Sequence, residues 1–231
     1  MKRFWKAAEA AAEPGGWGVK LDGKPLRTPA RAALIVPTAA LGQAIAGEWR
    51  DAGDTVEPRA MPLTGLANAA IDRVAADRAG FARGLARYAE ADLTCYRAGG
   101  PSPLVERQAA RWDGLLSWAR RRFDVDFAIT SALIHVAQPP ATVERIAYAV
   151  ASLDAFRLAG LSPLVTIGGS LIAGLAVVEN ALTAEAAWVA VSVDEAWQLE
   201  QWGADAEALA ALEGRKRDFL AAARFVELLE A

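Results

Sequence analysis

The stretch WGVKLDGKPLRTPARAALIVPT, residues 17–38, decides the fold class. Trp17 to Leu21 alternates weakly between apolar and polar side chains. Asp22-Gly23 then supplies a hairpin signal, since glycine tolerates the positive φ of a tight turn. Lys24 to Thr28 is expected to return, with Pro25 and Pro29 at edge or loop positions because proline has no N–H for a central ladder. Ala33 to Val36 reads as a short apolar strand stopped by Pro37. These pieces predict a small sheet. Thr38 can N-cap the helix that follows, where Leu41, Ile45 and Trp49 recur at helical spacing and Gly53 ends the run. Thr55 to Arg59 predicts a further short strand before Met61-Pro62, and the alanine-rich stretch from Ala7 to Ala12 suits a helix.

Beyond Pro62 the period changes from strand to helix. Leu63, Leu66, Ala70 and Val74 trace one stripe; Phe81, Leu85 and Tyr88 trace another. Leu104 to Phe123 is a strong amphipathic helix, with Leu104, Gln108, Trp112, Leu115, Ala119 and Phe123 on one face and Arg107 and Arg111 opposite. Phe127 to Ala137 reads as β-like. Val143 to Leu158 predicts a helix closed near Gly160, Leu164 to Val178 an apolar helix, and Thr183 to about Trp202 a helix ended by Gly203. Residues 204–229 close the chain as another. The expected fold is therefore α+β: a small β-rich N-terminal domain (1–76), a sheet with one covering helix, followed by a larger all-α domain (77–231).

Composition narrows the function. Hydrophobic residues make up 54% of the 231, but 54 residues are alanine, which buries little surface, so the chain reads as an ordinary globular protein. The formal net charge of −3 argues against nucleic-acid binding, which usually shows a basic excess. A single cysteine, Cys95, excludes an internal disulfide framework, and with the single histidine, His135, it excludes the usual zinc sites. The N-terminus lacks the long apolar stretch of a secretory signal, so a cytoplasmic protein is expected. Leu161 to Val178 is uncharged but diluted by glycines and hydroxyl residues, and reads as a buried helix rather than a membrane span.

No phosphate loop is present. Gly168-Gly169-Ser170 reads as close helix packing, Cys95 as a small core residue, and Arg120-Arg121-Arg122 as a solvated helix end whose cations complement the macrodipole. His135 lacks an obvious orienting acid and an elbow serine, and reads as a histidine holding a local hydrogen bond. No catalytic, cofactor or metal residue is expected. The densest constellation runs from Asp194 to Asp205. Glu195 and Gln198 share a helical face with Gln201 or Trp202 beyond. That pattern suits either a polar protein-binding face bordered by tryptophans or an amphipathic helix with Trp197 in the core.

The chain resembles the family of assembly chaperones that receive the α subunit of the ATP synthase F₁ head, called ATP synthase F₁ complex assembly factor 2 in mitochondria. The resemblance runs in order through Arg3-Phe4-Trp5-Lys6, Leu21 to Pro29, Val36-Pro37-Thr38, Ala46-Gly47-Glu48-Trp49 and Met61-Pro62-Leu63-Thr64. It continues through Tyr88 to Ala98, Gln108, Trp112-Asp113, Leu115-Leu116, Trp118-Ala119 and Gly169 to Ile172, ending in Asp194-Glu195, Gln198, Trp202-Gly203 and Asp205. It implies a small α+β domain before a helical domain, and a chaperone that hydrolyses no nucleotide. Lacking a mitochondrial presequence, the chain looks like a bacterial relative. The implied activity is binding of the unassembled α subunit, with release to the β subunit. The family's Asp-Glu element falls on Asp194-Glu195, which makes Glu195 the first expected client contact, followed by Asp194, Gln198, Trp202 and Asp205; an ion pair of Glu195 with Arg217 or Arg97 is the structural alternative. A monomer without cofactor is expected. The competing readings are an enzyme whose pocket joins His135 with Asp92 or Glu195, and a helical scaffold retained in the finished complex.

Overall fold

The computed structural model describes residues 2–132, 134–203 and 205–231. β1 (Ala8–Glu13) and β2 (Gly16–Leu21) pair antiparallel across the turn Pro14-Gly15, in register from Ala8↔Leu21 to Glu13↔Gly16. Asp22 and Gly23, at φ 48° and 77°, turn β2 into β3 (Lys24–Pro25). β4 (Ile35–Val36) pairs with β2 through Trp17↔Val36 and Gly18↔Ile35. The expected hairpin and apolar strand are therefore present. The alanine-rich stretch differs from its expectation: it is β1, because helix propensity amounts to a few tenths of a kcal/mol per residue and a paired neighbour outweighs it. Thr55 to Arg59 also departs from expectation. Thr55 makes one bridge to Lys2, and Pro58–Ala60 is a single 3₁₀ turn.

α1 (Ala39–Asp51) starts as predicted at Thr38, whose Oγ1 accepts the Leu41 N–H at 3.2 Å. Its buried stripe of Leu41, Ile45 and Trp49 packs on β1 and β2. Glu48 and Trp49, at the far end of α1, hold the start of α2 (Pro62–Ala69). The Glu48 carboxylate accepts the N–H groups of Leu63 (2.7 Å) and Thr64 (2.8 Å) and the Thr64 hydroxyl (2.6 Å), and Trp49 Nε1 donates to Thr64 Oγ1 (3.2 Å). An anion at the N-terminus of a helix meets its unpaired donors. Residues 46–49 and 61–64 are thus joined through the Glu48 carboxylate. α2 continues through a π turn (Ala70–Val74) and a 3₁₀ turn (Ala75–Asp77) into α3 (Arg78–Ala86).

The chain forms two compact units, and the division is not one cut. Unit 1 comprises Met1–Arg78, Asp154–Gly160 and Ala221–Ala231; unit 2 comprises Ala79–Leu153 and Leu161–Leu220. The late segments join unit 1 because Phe225, Leu228 and Leu229 bury themselves in its core with Trp5, Leu34, Leu41, Ile45 and Trp49, and Phe156 stacks on Phe225. Chain-order reading is blind to such a return.

Unit 2 is helical. α4 (Ser102–Phe123) buries Gln108, Trp112, Leu115, Leu116, Ala119 and Phe123, the predicted face with Leu116 added and Leu104 only half-buried. α5 (Pro140–Ser152) stops at Leu153, and Asp154 caps the next helix by accepting the Arg157 N–H at 2.8 Å. The expected helix through Leu158 is thus two. α6 (Ala155–Gly168) runs through Gly160, and the expected apolar helix breaks at Gly169, φ 68°, where Ser170 Oγ accepts the Ala173 N–H (3.0 Å) to open α7 (Leu171–Val178). Gly168 does pack closely: a Cβ there would lie 3.1 Å from Val191. All of α7 is buried. α8 (Ala184–Val191) begins at the Thr183 cap and is separated from α9 (Val193–Trp202) at Ser192, whose hydroxyl donates to the Trp188 carbonyl (2.7 Å). α10 (Ala206–Glu227) closes the chain. The expected β-like stretch 127–137 is irregular, with one bridge, Tyr96↔Thr130; Leu133 within it lies outside the described residues. Among the described residues, no helix is long and apolar enough to cross a membrane.

Candidate functional site

Within unit 2, α4, α9 and the segment 96–101 enclose a cleft of about 680 Å³. Asp92 anchors one wall. It is fully buried; its Oδ1 accepts from Thr94 N (3.0 Å), Thr94 Oγ1 (2.8 Å) and Ser170 Oγ (2.8 Å), and its Oδ2 from Ile172 N (3.0 Å). Burial raises its pKa, while these donors pull it back. The carboxylate joins the turn Leu93–Cys95 to the start of α7, and so sets where Tyr96, Arg97 and Ala98 leave for the cleft. Cys95 is fully buried, as expected of a core residue. Burial, with Asp92 nearby, pushes its thiol up to about 12, so it is not a thiolate nucleophile.

Gln108 ties three segments together. From the buried face of α4, its Oε1 accepts the Ala98 N–H and its Nε2 donates to Asp194 Oδ1, both at 2.7 Å. Trp112, one turn on, donates from Nε1 to the Ala190 carbonyl at 2.7 Å. Arg97 lies over the Trp112 ring (5.2 Å) and pairs with Asp113 (2.8 Å). Arg107 lies over Trp197 (5.2 Å) and forks onto Glu200 at 2.7 and 2.8 Å. That bidentate bond raises the Arg107 pKa and lowers that of Glu200.

The candidate residues divide by helical phase. Asp194, Trp197, Gln198, Gln201 and Trp202 line the cleft at i, i+3, i+4, i+7 and i+8. Glu195 faces the other side, where it pairs with Arg215 at 3.1 Å and borders a second cavity of about 310 Å³ against α10. Gln198 and Trp202 sit on the border and line both. Trp202 is 78% exposed. Asp205 lines neither; its Oδ1 accepts the Ala208 N–H (2.7 Å) and caps α10. The partner of Glu195 is Arg215 rather than Arg217 or Arg97. Trp197 is half-buried beneath Arg107. Sequence reasoning missed Arg107 and Glu200: α4 taken alone puts Arg107 on its wet face, and only the docked α9 gives it work.

His135 is exposed. Its Nδ1 lies 2.9 Å from the Tyr96 hydroxyl, and it borders a shallow depression with Tyr88 and Glu90. Asp92 is committed to four donors, and Glu195 borders a different cavity, so the three groups of the enzymatic reading do not meet. In the arginine run, Arg120 pairs with Asp126 and Arg122 with Glu179, while Arg121 is exposed. Among the described residues, no three His, Cys, Asp or Glu side chains converge as a metal site.

The model of a family described as ATP12 chaperone protein matches residues 2–120. The chain belongs to the ATP12 chaperone family. This is the family of ATP synthase assembly chaperones to which the sequence resemblance pointed. The crystal structure of Atp12 from Paracoccus denitrificans is 42% identical, with a TM-score of 0.93 over 99% of this chain and 98% of that one. The Atu1473 protein of Agrobacterium tumefaciens is 38% identical, with the same TM-score over 99% of this chain and 86% of that one. A curated relative, mitochondrial protein atp12 of Schizosaccharomyces pombe, is 25% identical over 219 residues, 88% of this chain and 74% of its own. The ATP12 family match ends near the C-terminus of α4. The cleft residues on α9 lie beyond it, in the part covered by the whole-chain likeness to the Paracoccus Atp12 structure.

Proposed function

We propose that this ATP12 chaperone binds the unassembled α subunit of F₁-ATPase through unit 2, prevents its aggregation, and releases it to the β subunit without ATP hydrolysis. An unassembled subunit exposes surfaces that later meet its neighbours, and such patches drive wrong association. A folded protein that covers them shifts the population away from aggregates by mass action. Release needs no fuel where the final interface is larger and better matched, so the chaperone binds more weakly than the β subunit does.

The observation that carries this reading is Trp202, 78% exposed beside Gln198 on the rim of an open cleft. Large aromatics are over-represented among the side chains that anchor protein partners, and this one stands at the edge of a groove. Glu195, Asp194 and Asp205 supply acids beside it, and Glu195 can exchange Arg215 for a client arginine at little cost, because exposed pairs hold weakly.

The test mixes purified protein with isolated α subunit and then adds β, following light scattering and size exclusion. The expected result is suppressed α aggregation, a complex of the two proteins, and its loss on addition of β. Unchanged α aggregation at excess protein would overturn the reading. Co-purification with finished ATP synthase in fixed ratio would favour the scaffold instead.

A further inference from the structure

Where α9 meets α10, unit 2 leaves large apolar side chains exposed. Glu195 and Trp202 of α9 face Ala208 and Arg215 of α10 across the smaller cavity, so the two helices run as a hairpin. Every residue from 205 to 211 is exposed, Leu209 at 45%, and the buried stripe of α10 begins only at Phe219. A helix of a globular protein normally buries one stripe along its whole length. The first turns of α10 therefore present Leu209, 45% exposed, and α9 presents Trp202, 78% exposed.

Charge says what fits there. From Val193 to Gly214 the chain holds six acidic side chains and no basic one; the basic run Arg215-Lys216-Arg217 follows, at the far end of the cavity from Leu209. Four of the six are engaged: Asp194 with Gln108, Glu195 with Arg215, Glu200 with Arg107, and Asp205 as the cap. Glu207 and Glu213 are exposed and make no ion pair among the described residues. Glu213 lies one turn after Leu209 and Asp205 one turn before it, both on its face of the helix, whereas Glu207, two residues away, lies across it. An apolar face with an acidic border disfavours a second copy of itself and matches a partner of opposite sign.

We infer that the α9–α10 hairpin docks a basic amphipathic segment of the client, with apolar side chains against Trp202 and Leu209 and arginines or lysines against Asp205 and Glu213. The inference deepens the reading of unit 2 as the client-binding part and rests on it. It adds the hairpin end to the cleft and states the chemistry of what is held.

The probe is a labelled helical peptide with leucines on one face and lysines and arginines on the other, compared with the same peptide carrying glutamates. Fluorescence anisotropy reads binding to the full chain at low and high salt. The basic peptide should bind, more weakly as salt rises, and the acidic one should not. Leu209→Ser and Glu213→Lys should each weaken binding about tenfold or more. Circular dichroism confirms folding, and exposed Leu209→Ala serves if the serine variant is unstable. Equal binding of both peptides, no binding of either, unaltered affinity in the variants, or a dimer that Leu209→Ser dissolves would each overturn the inference. In parallel, the variants are assayed on α-subunit aggregation. Wild-type protection retained by both variants sinks the hairpin and leaves the wider reading standing, whereas no wild-type protection sinks the wider reading, and with it this one.

Discussion

Asp92 Oδ1 accepts the hydroxyl hydrogen of Ser170 at 2.8 Å, between residues 78 positions apart. The same carboxylate holds Thr94 on one side and the Ile172 N–H on the other. One buried acid thus fixes the turn that feeds the cleft to the start of the most buried helix.

Asp92→Asn should therefore destabilise the protein by about 1–3 kcal/mol, because an amide NH₂ in place of Oδ2 would face the Ile172 N–H donor. Urea unfolding measures it, and an unmoved midpoint would refute the role. The folded pKa of Asp92 is raised, chiefly by burial. Its contribution is therefore fullest below the unfolded carboxylate range and declines as pH rises through the folded value.

Glu195→Ala should leave the unfolding midpoint nearly unmoved, since its pair with Arg215 is partly exposed and such pairs contribute at most about 1 kcal/mol. It should lose protection of the α subunit. Arg215→Ala frees the same carboxylate and should retain protection. If both variants lowered stability alike and protected alike, Glu195 would be a structural partner only.

Thr38 both accepts the Leu41 N–H and donates to the Leu228 carbonyl. Thr38→Ala should cost about 1–2 kcal/mol, and Thr38→Ser, which keeps the hydroxyl, should recover most of it. Equal losses in the two variants would mean that the methyl group, not the hydroxyl, matters.

Asp22 accepts the N–H groups of Ala7 (2.8 Å) and Lys6 (3.0 Å), and these bonds hold its carboxyl below the usual range. A depressed acid stabilises the fold above its unfolded pKa and stops doing so as pH falls through the folded value. The melting-temperature difference between wild type and Asp22→Asn should be constant near neutrality and shrink in acid below the usual aspartate range. A gap that widens in acid would contradict this.

Cys95, buried and with its thiol pushed up to about 12, should resist iodoacetamide at neutral pH and react once the chain is unfolded in urea. Rapid labelling of the native protein would show that the core around it opens.

Local patterns were legible where local chemistry decides. The Asp22-Gly23 turn, the Thr38 cap and the buried face of α4 follow from one residue's φ preference, one side-chain oxygen and a helical period. Breaks inside apolar runs were harder. Asp154, Ser170 and Ser192 each end or restart a helix with a side-chain bond, yet in the sequence they look like ordinary polar interruptions. At the candidate site, the phase of α9 predicted that Glu195 and Gln198 share a face. It did not predict that Asp194 would turn toward Gln108, or that Arg107 would cover Trp197.

The sequence by itself determined the α+β order, the family and the acidic, tryptophan-bearing character of 194–205, because these are properties of residue type and spacing along one chain. Tertiary structure alone decided that Ala8–Glu13 is a strand, that 221–231 completes the core of unit 1, and that Asp194 and Glu195 line two different cavities. Those outcomes depend on contacts between residues far apart in the chain, and pairing or burial against a distant partner outweighs the small preferences each segment has on its own.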